Sequence, residues 1–395
     1  MVDHLDLRPS MTSLKDHFLL DPHIVYLNHG SYGATPRAVF EVYQQRQLQL
    51  EREPVRFINE ELPALLKDAR HALGRYINAD ADDLVYVPNA TFGLNIIARS
   101  LPLQAGDELL TTDHEYGATY NLWSTICQKR GAKLIKQPLS FPVSSDTEML
   151  EEFWRGITPR TKAIFISHIT SPTALRLPVE ALCQRAREAG LITIIDGAHA
   201  PGQINLDLEA LDADFYVGNC HKWLCSPKGT GFLYTRRSRQ PLIEPLVIGW
   251  GWGEYRKPSD EPAFIDALQR QGTDDLSAYL SVPAAIDFQT QHHWPKVRAH
   301  CHTLLAAMLK QAGELTGLRS PYPAPGHHYA QMAVIPLPPI RDLAAFNRRL
   351  YEKYRIQIPC IAWNGHQFLR VSVQAYNSEE DLKTLLGALK TELAD

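Results

Sequence analysis

Three kinds of pattern are scarce in this sequence, and each scarcity excludes a class of protein. Six cysteines are scattered over 395 residues and form neither a disulfide framework nor a paired metal motif, which favours reduced thiols and a cytoplasmic location. No apolar run approaches the roughly 18 residues of a membrane span, and residues 1–13 lack the apolar core of a signal peptide. The formal net charge is -4 without a Lys/Arg run, so we expect no nucleic-acid or membrane binding.

Histidines are clustered in three places, but none of the clusters has the spacing of a zinc site. The clusters are His292-His293, His300-Cys301-His302 and His327-His328. Zinc ligands in proteins recur at characteristic separations that these runs do not match. We therefore predict no metal site and interpret these histidines as solvent-facing side chains.

The chain between about residues 84 and 236 alternates short β-rich runs with helical patterns. Strands separated by helices predict βαβ units around a mostly parallel sheet. The strand candidates are residues 84–87, 107–112, 133–137, 162–167, 191–195, 213–217 and 229–235, with helices at 91–100, 116–130 and 179–189. Since only a loop joins the last two strands, we expect the final one to pair antiparallel at an edge of the sheet.

The length of the chain and its C-terminal pattern predict a second, smaller α+β domain. A chain of 395 residues is too long for one compact core. Residues 334–336, 357–359 and 368–373 have strand character, and the last helix has Ser378 as N-cap with acids in its first turn. The helical stretch 37–75 contains Pro54 and predicts two helices with a bend.

Lys222 is the most informative residue of the sequence. It follows the apolar run Phe215-Tyr216-Val217, while a second run, 191–195, leads directly into Asp196. Two buried strands that end in this way bring an amine and a carboxylate to the same edge of a sheet, where α/β proteins bind ligands. Pyridoxal 5'-phosphate requires this pair, the lysine for a Schiff base and the acid to keep the ring nitrogen protonated. A surface lysine is the alternative interpretation.

Other residues near these strand ends fit the same cofactor. Asn89-Ala90-Thr91 opens a helix after a strand, which favours a phosphate seat once Lys222 is considered, although alone it reads as an ordinary N-cap. Asn219 and His221 are further phosphate candidates. His199 either hydrogen-bonds the phenolic oxygen of the cofactor or is a turn histidine, and the sequence leaves both open.

Arg370 lies in an apolar strand of the predicted small domain. Its guanidinium group matches the carboxylate of an amino-acid substrate in a bidentate manner. An outward-facing strand arginine is the alternative.

An ordered set of motifs resembles the class V aminotransferase family of fold type I pyridoxal-phosphate enzymes. The motifs are NAT at residue 89, HEYGA at 114, DGAH at 196, CHKW at 220, QGTDD at 271 and LRVSVQAYN at 369. Other segments, including YLNHGSYGATP and SHITSPTALRLP, resemble the isopenicillin N epimerase-like branch more closely. The resemblance runs from about Tyr26 to the C-terminal helix.

The resemblance implies a fold, an assembly and residue roles. It implies a large domain with a mostly parallel, mixed seven-stranded sheet at residues 31–275, a small α+β domain at 276–395, and a segment 1–30 that packs on the small domain and lines the site. The subunit would form a homodimer with shared active sites. The implied catalytic residues are Lys222, Asp196 and His199; cofactor contacts add Ala90, Thr91, Tyr116 (with His114 as rival for ring stacking), Ser171, Asn219, His221 and the neighbouring subunit's Thr273; substrate contacts are Asn28, His29 and Arg370.

One departure from the related cysteine desulfurases bears on the reaction. Those enzymes carry a nucleophilic cysteine on a mobile loop ahead of the carboxylate-binding arginine. Here the interval from Pro359 to Arg370 is short and holds only Cys360, next to Pro359 at a strand end. This arrangement disfavours sulfur transfer.

The expected function is chemistry at the α-carbon of a small amino-acid substrate, by epimerisation or β-elimination. Lys222, once released from the cofactor, would be the base for the α proton. Cysteine desulfuration or transamination are alternatives among enzymes, and an inactive binding protein that kept the fold is an alternative from another class. Tyr32, Trp250, Trp252 and Trp363 motivate a substrate side chain bulkier than that of cysteine, with hydrophobic packing as the alternative.

Overall fold

A computed structural model describes residues 14–257, 259–323 and 327–394. The strands in these residues, numbered in chain order, are β1 (Val25–Tyr26), β2 (Leu84–Val87), β3 (Glu108–Thr112), β4 (Lys133–Gln137), β5 (Thr161–Ser167), β6 (Ile192–Gly197), β7 (Phe215–Asn219), β8 (Gly231–Thr235), β9 (Met332–Leu337), β10 (Ile356–Gln357), β11 (Cys360–Trp363) and β12 (His366–Ser372).

The α-helices of the described residues separate most of these strands. They are α1 (His29–Tyr32), α2 (Arg37–Arg52), α3 (Pro54–Arg56), α4 (Leu62–Ile77), α5 (Ala90–Ser100), α6 (Gly117–Arg130), α7 (Asp146–Trp154), α8 (Val179–Glu188), α9 (Leu208–Leu211), α10 (Ala263–Gln269), α11 (Ser277–Leu280), α12 (Val282–Gln291), α13 (Trp294–Thr316), α14 (Leu343–Tyr354) and α15 (Glu379–Glu392). In the part of the chain that the structure describes, none is both long and apolar enough to cross a membrane.

Seven strands form one sheet in the order β2-β8-β7-β6-β5-β3-β4. The strands from β7 to β4 in this order pair parallel, and β8 pairs antiparallel with both of its neighbours. The mostly parallel, mixed sheet of the predicted fold class is therefore confirmed. The prediction that the last strand lies at an edge is wrong, because β2 covers the outer side of β8.

The sheet direction places the ends of several strands together. Since β8 runs antiparallel to β2 and to β7, β2 points the same way as the parallel strands. The carboxyl ends of β2, β3, β5, β6 and β7 therefore share one edge. Asp196 lies at this edge in β6, and Lys222 follows β7 in the turn after Asn219.

Local sequence explains how these elements begin and end. Asn89 caps α5 by accepting a hydrogen bond from the backbone N–H of Phe92. Ser378 and Asp381 form a reciprocal capping box at the start of α15, as the acids in its first turn predict. The helical stretch after residue 37 is interrupted at Pro54, as predicted, because proline cannot donate the backbone hydrogen bond that would continue α2.

A three-stranded antiparallel sheet, β11-β12-β9, forms the framework of the C-terminal part, with α13, α14 and α15 around it. The strand β1 pairs in parallel with β10, so that Val25 lies opposite Ile356. The backbone N–H of Leu14 also donates to the carbonyl of Ala375. These contacts hold the first described residues against the C-terminal part. The domain limits at residues 30 and 275 stay predictions.

Close packing at the carboxyl edge of the sheet, where Asp196 lies, predicts a destabilising substitution. A Cβ on Gly197 would lie 2.1 Å from ring atoms of the fully buried Tyr216. Gly197→Ala should therefore lower the free energy of unfolding by about 1–3 kcal/mol through overpacking, which a urea titration would detect as a lower midpoint. Gly387→Ala is the control, because its Cβ would meet open space within α15, and it should be neutral or stabilise by up to about 1 kcal/mol. Equal midpoints for the two variants would contradict this packing argument.

Candidate active site

A cavity of about 770 Å³ opens at the shared carboxyl edge of the sheet. This volume suits a cofactor together with a small substrate. Most of the site residues predicted from the sequence line it, and these are Ala90, Thr91, Tyr116, Ser171, Asp196, His199, Asn219, His221, Lys222 and Arg370. Asn28, His29 and Thr273 are not among the lining residues.

The amine of Lys222 lies beside His199, and the hydrogen bonds define which ring nitrogen carries a proton. Trp223 Nε1, which can only donate, lies 3.3 Å from His199 Nδ1, so Nδ1 is the acceptor. The neutral ring therefore carries its proton on Nε2, which lies 3.3 Å from Lys222 Nζ. Burial holds the pKa of His199 well below its usual range, so the imidazole is a neutral donor.

Lys222 is half-buried, and the charge of Arg370 acts on its amine. Burial, followed by the positive charge of Arg370, lowers the pKa of the Lys222 amine to about 7, while Asp196 acts in the opposite direction. A buried amine with this pKa is partly neutral near pH 7 and is therefore a usable nucleophile and base.

Asp196 offers one free carboxylate oxygen to the cavity. Its Oδ1 accepts a hydrogen bond of 2.9 Å from the backbone N–H of Ala198. Its Oδ2 makes no hydrogen bond with any residue that the structure describes. Burial raises the pKa of the Asp196 carboxyl, whereas the hydrogen bond from Ala198 and the charge of Lys222 act in the opposite direction. A further donor or cation that binds in the cavity would stabilise the charged carboxylate.

The N-terminus of α5 is arranged for an anion, although the N–H of Ala90 already has a partner within the protein. The N–H of Ala90 donates to Asn219 Oδ1 at 2.8 Å, and that of Phe92 donates to Asn89 Oδ1. The Ala90 N–H and Asn219 Oδ1 therefore bond to each other, and the Nδ2 group of Asn219 is left as a donor. Within the described residues, the backbone N–H and the hydroxyl of Thr91 also have no partner, so they are further free donors at the positive end of the helix.

His221 can donate to an anion only when its ring is protonated. Its Nδ1 lies 2.9 Å from the carbonyl oxygen of Thr230, which can only accept, so the neutral ring has no proton on Nε2. Burial lowers the pKa of His221 to about 4. An anion bound at the start of α5 would raise this pKa and draw a proton onto the ring.

Arg370 is a buried cation without an anionic partner. Its Nη1 donates to the carbonyl oxygen and the hydroxyl of Ser171 at 2.7 and 3.1 Å, and Nη2 donates to Ser31 Oγ at 3.0 Å. No carboxylate of the described residues lies within ion-pair distance, and Arg370 Nε has no hydrogen-bond partner. Burial lowers the pKa of the guanidinium to about 10. Such a group is stabilised by an anion that enters the cavity.

Tyr116 and not its rival His114 reaches the cavity. Tyr116 is about half exposed and lines the opening. His114 is fully buried, with Nδ1 2.7 Å from Thr173 Oγ1 and its ring against Trp363. Only Tyr116 is therefore available to contact a ring bound in the cavity.

The N-terminal segment contributes to the site through Tyr32 and through Gly30 and Ser31, which sequence reasoning missed. Gly30, Ser31 and Tyr32 line the cavity. Asn28 does not line the cavity, but its side-chain oxygen accepts a hydrogen bond from the hydroxyl of Ser31. His29 is fully buried behind the cavity wall, where its ring nitrogens contact the hydroxyl of Tyr376 and the carbonyl of Lys222. The prediction that His29 lines the substrate pocket is therefore not met within this chain.

Sequence reasoning also missed a buried acid below the cavity. Glu115 accepts hydrogen bonds from the hydroxyl and N–H of Ser167 and from the Thr112 hydroxyl. Ser167 lines the cavity and is the strand partner of Asp196. Burial raises the pKa of Glu115 to about 7. The position of Glu115 directly before Tyr116 was the only sequence signal for its role. Through Ser167, Glu115 ties the turn that holds Tyr116 to β5.

Cys360 and three of the four aromatic residues proposed for a bulky substrate do not line the cavity. Cys360 belongs to strand β11, where it lies opposite Leu369, and burial raises its thiol pKa to about 11. Of the aromatic residues proposed for a bulky substrate, Tyr32 lines the cavity, whereas Trp363 packs on His114. Trp250 and Trp252 are partly exposed and do not line this cavity. Thr273 is likewise exposed.

The residues present fit pyridoxal 5'-phosphate. A buried amine, a carboxylate with a free oxygen, a helix N-terminus with free donors and an aromatic side chain surround one cavity. This constellation at the carboxyl edge of a seven-stranded mixed sheet defines the fold type I class of pyridoxal-phosphate enzymes.

Comparison with known proteins agrees with this class. The family model for aminotransferase class V matches residues 25–385. The chain is 35% identical to isopenicillin N epimerase of Amycolatopsis lactamdurans, over 95% of this chain and 97% of that one, and 27% identical to a probable chloroplastic L-cysteine desulfhydrase of Arabidopsis thaliana, over 95% and 84%. A solved complex of the cystine C-S lyase C-DES with cysteine persulfide has a TM-score of 0.82 at 22% identity, over 93% and 98%. The chain belongs to the aminotransferase class V family and is a pyridoxal 5'-phosphate-dependent enzyme.

The lowered pKa of Lys222 predicts how cofactor loading depends on pH. Only the neutral amine attacks the aldehyde, so loading of the cofactor-free protein should speed up as the pH rises to about 7 and level off above it. Arg370→Gln removes a neighbouring positive charge and should move the midpoint to higher pH, whereas Asp196→Asn should move it lower. Borohydride reduction followed by peptide mass spectrometry measures the fraction of Lys222 that carries the cofactor.

Arg319→Gln is the control for this experiment, since Arg319 is exposed and lies outside the cavity. It should leave the midpoint unchanged. A label on another lysine, or a midpoint near 10.5 as for an ordinary lysine, would refute the role of Lys222.

Proposed function

We propose that the protein acts at the α-carbon of an α-amino-acid substrate, whose carboxylate binds Arg370 while Lys222 moves the α proton. The observation that carries this proposal is the uncompensated Arg370 in the wall of the same cavity as Lys222. Its guanidinium group has hydrogen bonds only to neutral oxygens of Ser31 and Ser171. A carboxylate would supply both the missing charge and acceptors for the remaining N–H groups.

The cofactor would be held by side chains and backbone groups whose unused hydrogen-bond donors and acceptors match its phosphate, ring nitrogen and phenolic oxygen. Thr91 and protonated His221 would bind the phosphate at the start of α5, Asp196 would bind the ring nitrogen, and Tyr116 would contact the ring. His199, whose proton lies on Nε2, would donate to the phenolic oxygen. When bound, the cofactor supplies an electron sink that makes the α-C–H bond of an attached amino acid acidic.

Lys222 would then serve as the acid–base group. Its amine pKa of about 7 lets the neutral form accept the α proton near neutral pH and the charged form return it. General acid–base catalysis of this kind supplies roughly 10²–10⁴-fold. Arg370 contributes twice, because it orients the substrate and because its charge lowers the pKa of Lys222.

Epimerisation and β-elimination are the two outcomes that the relatives favour. The epimerase is the more similar relative, and the desulfhydrase and the C-S lyase represent elimination. Desulfuration is the second candidate function, but Cys360 argues against it. Its thiol is held within a strand and its pKa of about 11 keeps it protonated at neutral pH.

We propose that the active enzyme is a homodimer in which Thr273 of each subunit reaches the cavity of the other subunit. Thr273 lies outside the cavity of its own chain and is exposed. A nearby segment also exposes large apolar side chains at Ile248, Trp250 and Tyr255. Exposed apolar groups concentrated in one segment favour a protein contact.

The role of Arg370 predicts a specific loss of substrate discrimination. The holoenzyme in deuterium oxide should exchange the α proton of L-amino acids, and chiral chromatography for D-product or a keto-acid assay then separates epimerisation from elimination. Arg370→Gln should raise KM roughly a hundredfold for amino acids, since it removes one partner of a buried charge pair, while the matching amino-acid amides should be affected far less. Arg370→Lys should recover only part of the loss, because lysine keeps the positive charge but lacks the planar guanidinium group that binds a carboxylate through two hydrogen bonds.

Two results would count against this proposal. Equal losses for acids and amides would show that Arg370 does not bind the carboxylate. Loss of activity in Cys360→Ala, with a persulfide on Cys360 in the parent protein, would favour desulfuration. Faster turnover of cysteine than of bulkier amino acids would exclude the bulky-substrate hypothesis alone.

The shared site predicts complementation between two defective variants. Mixed dimers of Lys222→Ala with Thr273→Tyr should contain one site with both native residues, if Thr273 acts across the interface. Refolded mixtures should therefore regain up to about a quarter of the native activity, since half of randomly paired dimers are mixed and each has one native site. Light scattering checks the dimer. No recovery from correctly folded mixed dimers would contradict a role for Thr273 in the neighbouring site.

A further inference from the structure

A cluster of three side chains lies outside the cavity, where the start of α7 meets the loop before β9. Asp146 is the first residue of α7, and His327 and His328 belong to the loop. One ligand atom from each of the three residues lies within 4.8 Å of the others. Asp146 Oδ2 is 3.5 Å from His327 Nε2, and Asp146 Oδ1 is 3.3 Å from His328 Nε2. None of the three lines the cavity.

His328 supplies an independent sign that the cluster binds something. Its side chain is only 3% exposed, yet neither ring nitrogen makes a hydrogen bond with a described residue. Buried polar atoms in proteins almost always have a partner. Its Nε2 lies 3.3 Å from Asp146 Oδ1 without the geometry of a hydrogen bond, and two ligand atoms of one zinc-type ion lie about this far apart.

A simple ion pair is the competing explanation, and it requires charged histidines. The two imidazole rings lie with their centroids 4.0 Å apart, so that charging both would cost electrostatic energy. A neutral imidazole is, however, the form that coordinates metals.

We propose that Asp146, His327 and His328 form a binding site for a divalent transition-metal ion of the zinc type. Two imidazoles and one carboxylate are a ligand set that such ions accept, with the remaining positions left to water. Asp146 and His327 are solvent-exposed, so the ion can enter and leave without unfolding. The sequence patterns concealed this site because its third ligand lies 181 positions before His327.

The position of the site gives the ion a structural consequence. The carbonyl oxygen of His328 accepts a hydrogen bond from the N–H of Arg176, which follows the loop that holds Ser171. Asp146, in contrast, belongs to the helix that precedes β5. A bound ion would therefore tie together segments far apart in the sequence and stabilise the folded state.

Equilibrium dialysis of the holoenzyme against Zn²⁺, with metal content measured by atomic emission, tests the site. The parent protein should bind one more ion per chain than Asp146→Asn, and His327→Gln should weaken binding roughly tenfold or more. Both substitutions alter exposed side chains, so folding is retained, and circular dichroism verifies it. Zn²⁺ should also raise the midpoint of thermal unfolding of the parent protein but not that of Asp146→Asn.

His293→Asn is the matched control, since it removes one member of an exposed histidine pair elsewhere and asparagine tolerates the left-handed backbone at this position. It should bind zinc as the parent protein does. The proposal is overturned if Asp146→Asn binds as many ions as the parent protein with the same affinity. Amino-acid turnover is not the readout, so the outcome is independent of the proposed function.

Discussion

The site depends on an imbalance of charge in a place from which water is largely excluded. The half-buried Lys222 and the buried Arg370 line one cavity together with the buried carboxyl of Asp196. Without an anion, one of the two cations is costly, and the fold responds by lowering the pKa of the amine. In the proposed function, the same imbalance attracts ligands that carry a phosphate and a carboxylate. Affinity for the ligands and reactivity of the lysine therefore have one electrostatic origin.

Holding Arg370 in place requires three parts of the chain. Ser31 comes from the N-terminal segment, Ser171 from the loop after β5, and Arg370 itself from β12. The N-terminal segment is fixed in turn by the pairing of β1 with β10. Because the serine oxygens are neutral, they orient the guanidinium group without cancelling its charge. A protein carboxylate in the place of the serines would orient the guanidinium group equally well, but it would cancel the positive charge that is proposed to bind the substrate.

The sequence predicted those parts of the fold and site that follow from local pattern. Strand ends and helix starts indicated Lys222, Asp196 and Thr91, because apolar runs and polar residues alternate there over a few positions. It could not predict which ring nitrogen of His199 or His221 holds the proton, since this depends on Trp223 and on the carbonyl of Thr230. Glu115 and Ser31 escaped notice because the partners that tie them to the site, Ser167 and Arg370, are distant in the chain. The position of β8 was misjudged for the same reason, as only tertiary pairing brings β2 to its outer side.

That position of β8 has a consequence for how the polypeptide acquires its structure on the ribosome. The helix start that is proposed to receive the phosphate follows β2. Among the described residues, β2 joins the rest of the sheet only through β8, a strand almost 150 residues later. Until β8 has left the exit tunnel, β2 has no neighbour on either side, and its unpaired backbone groups and apolar side chains stay open to wrong partners. The proposed phosphate site at the start of α5 is thus completed late in synthesis. Until then, β2 and α5 form a segment that a chaperone would be expected to bind.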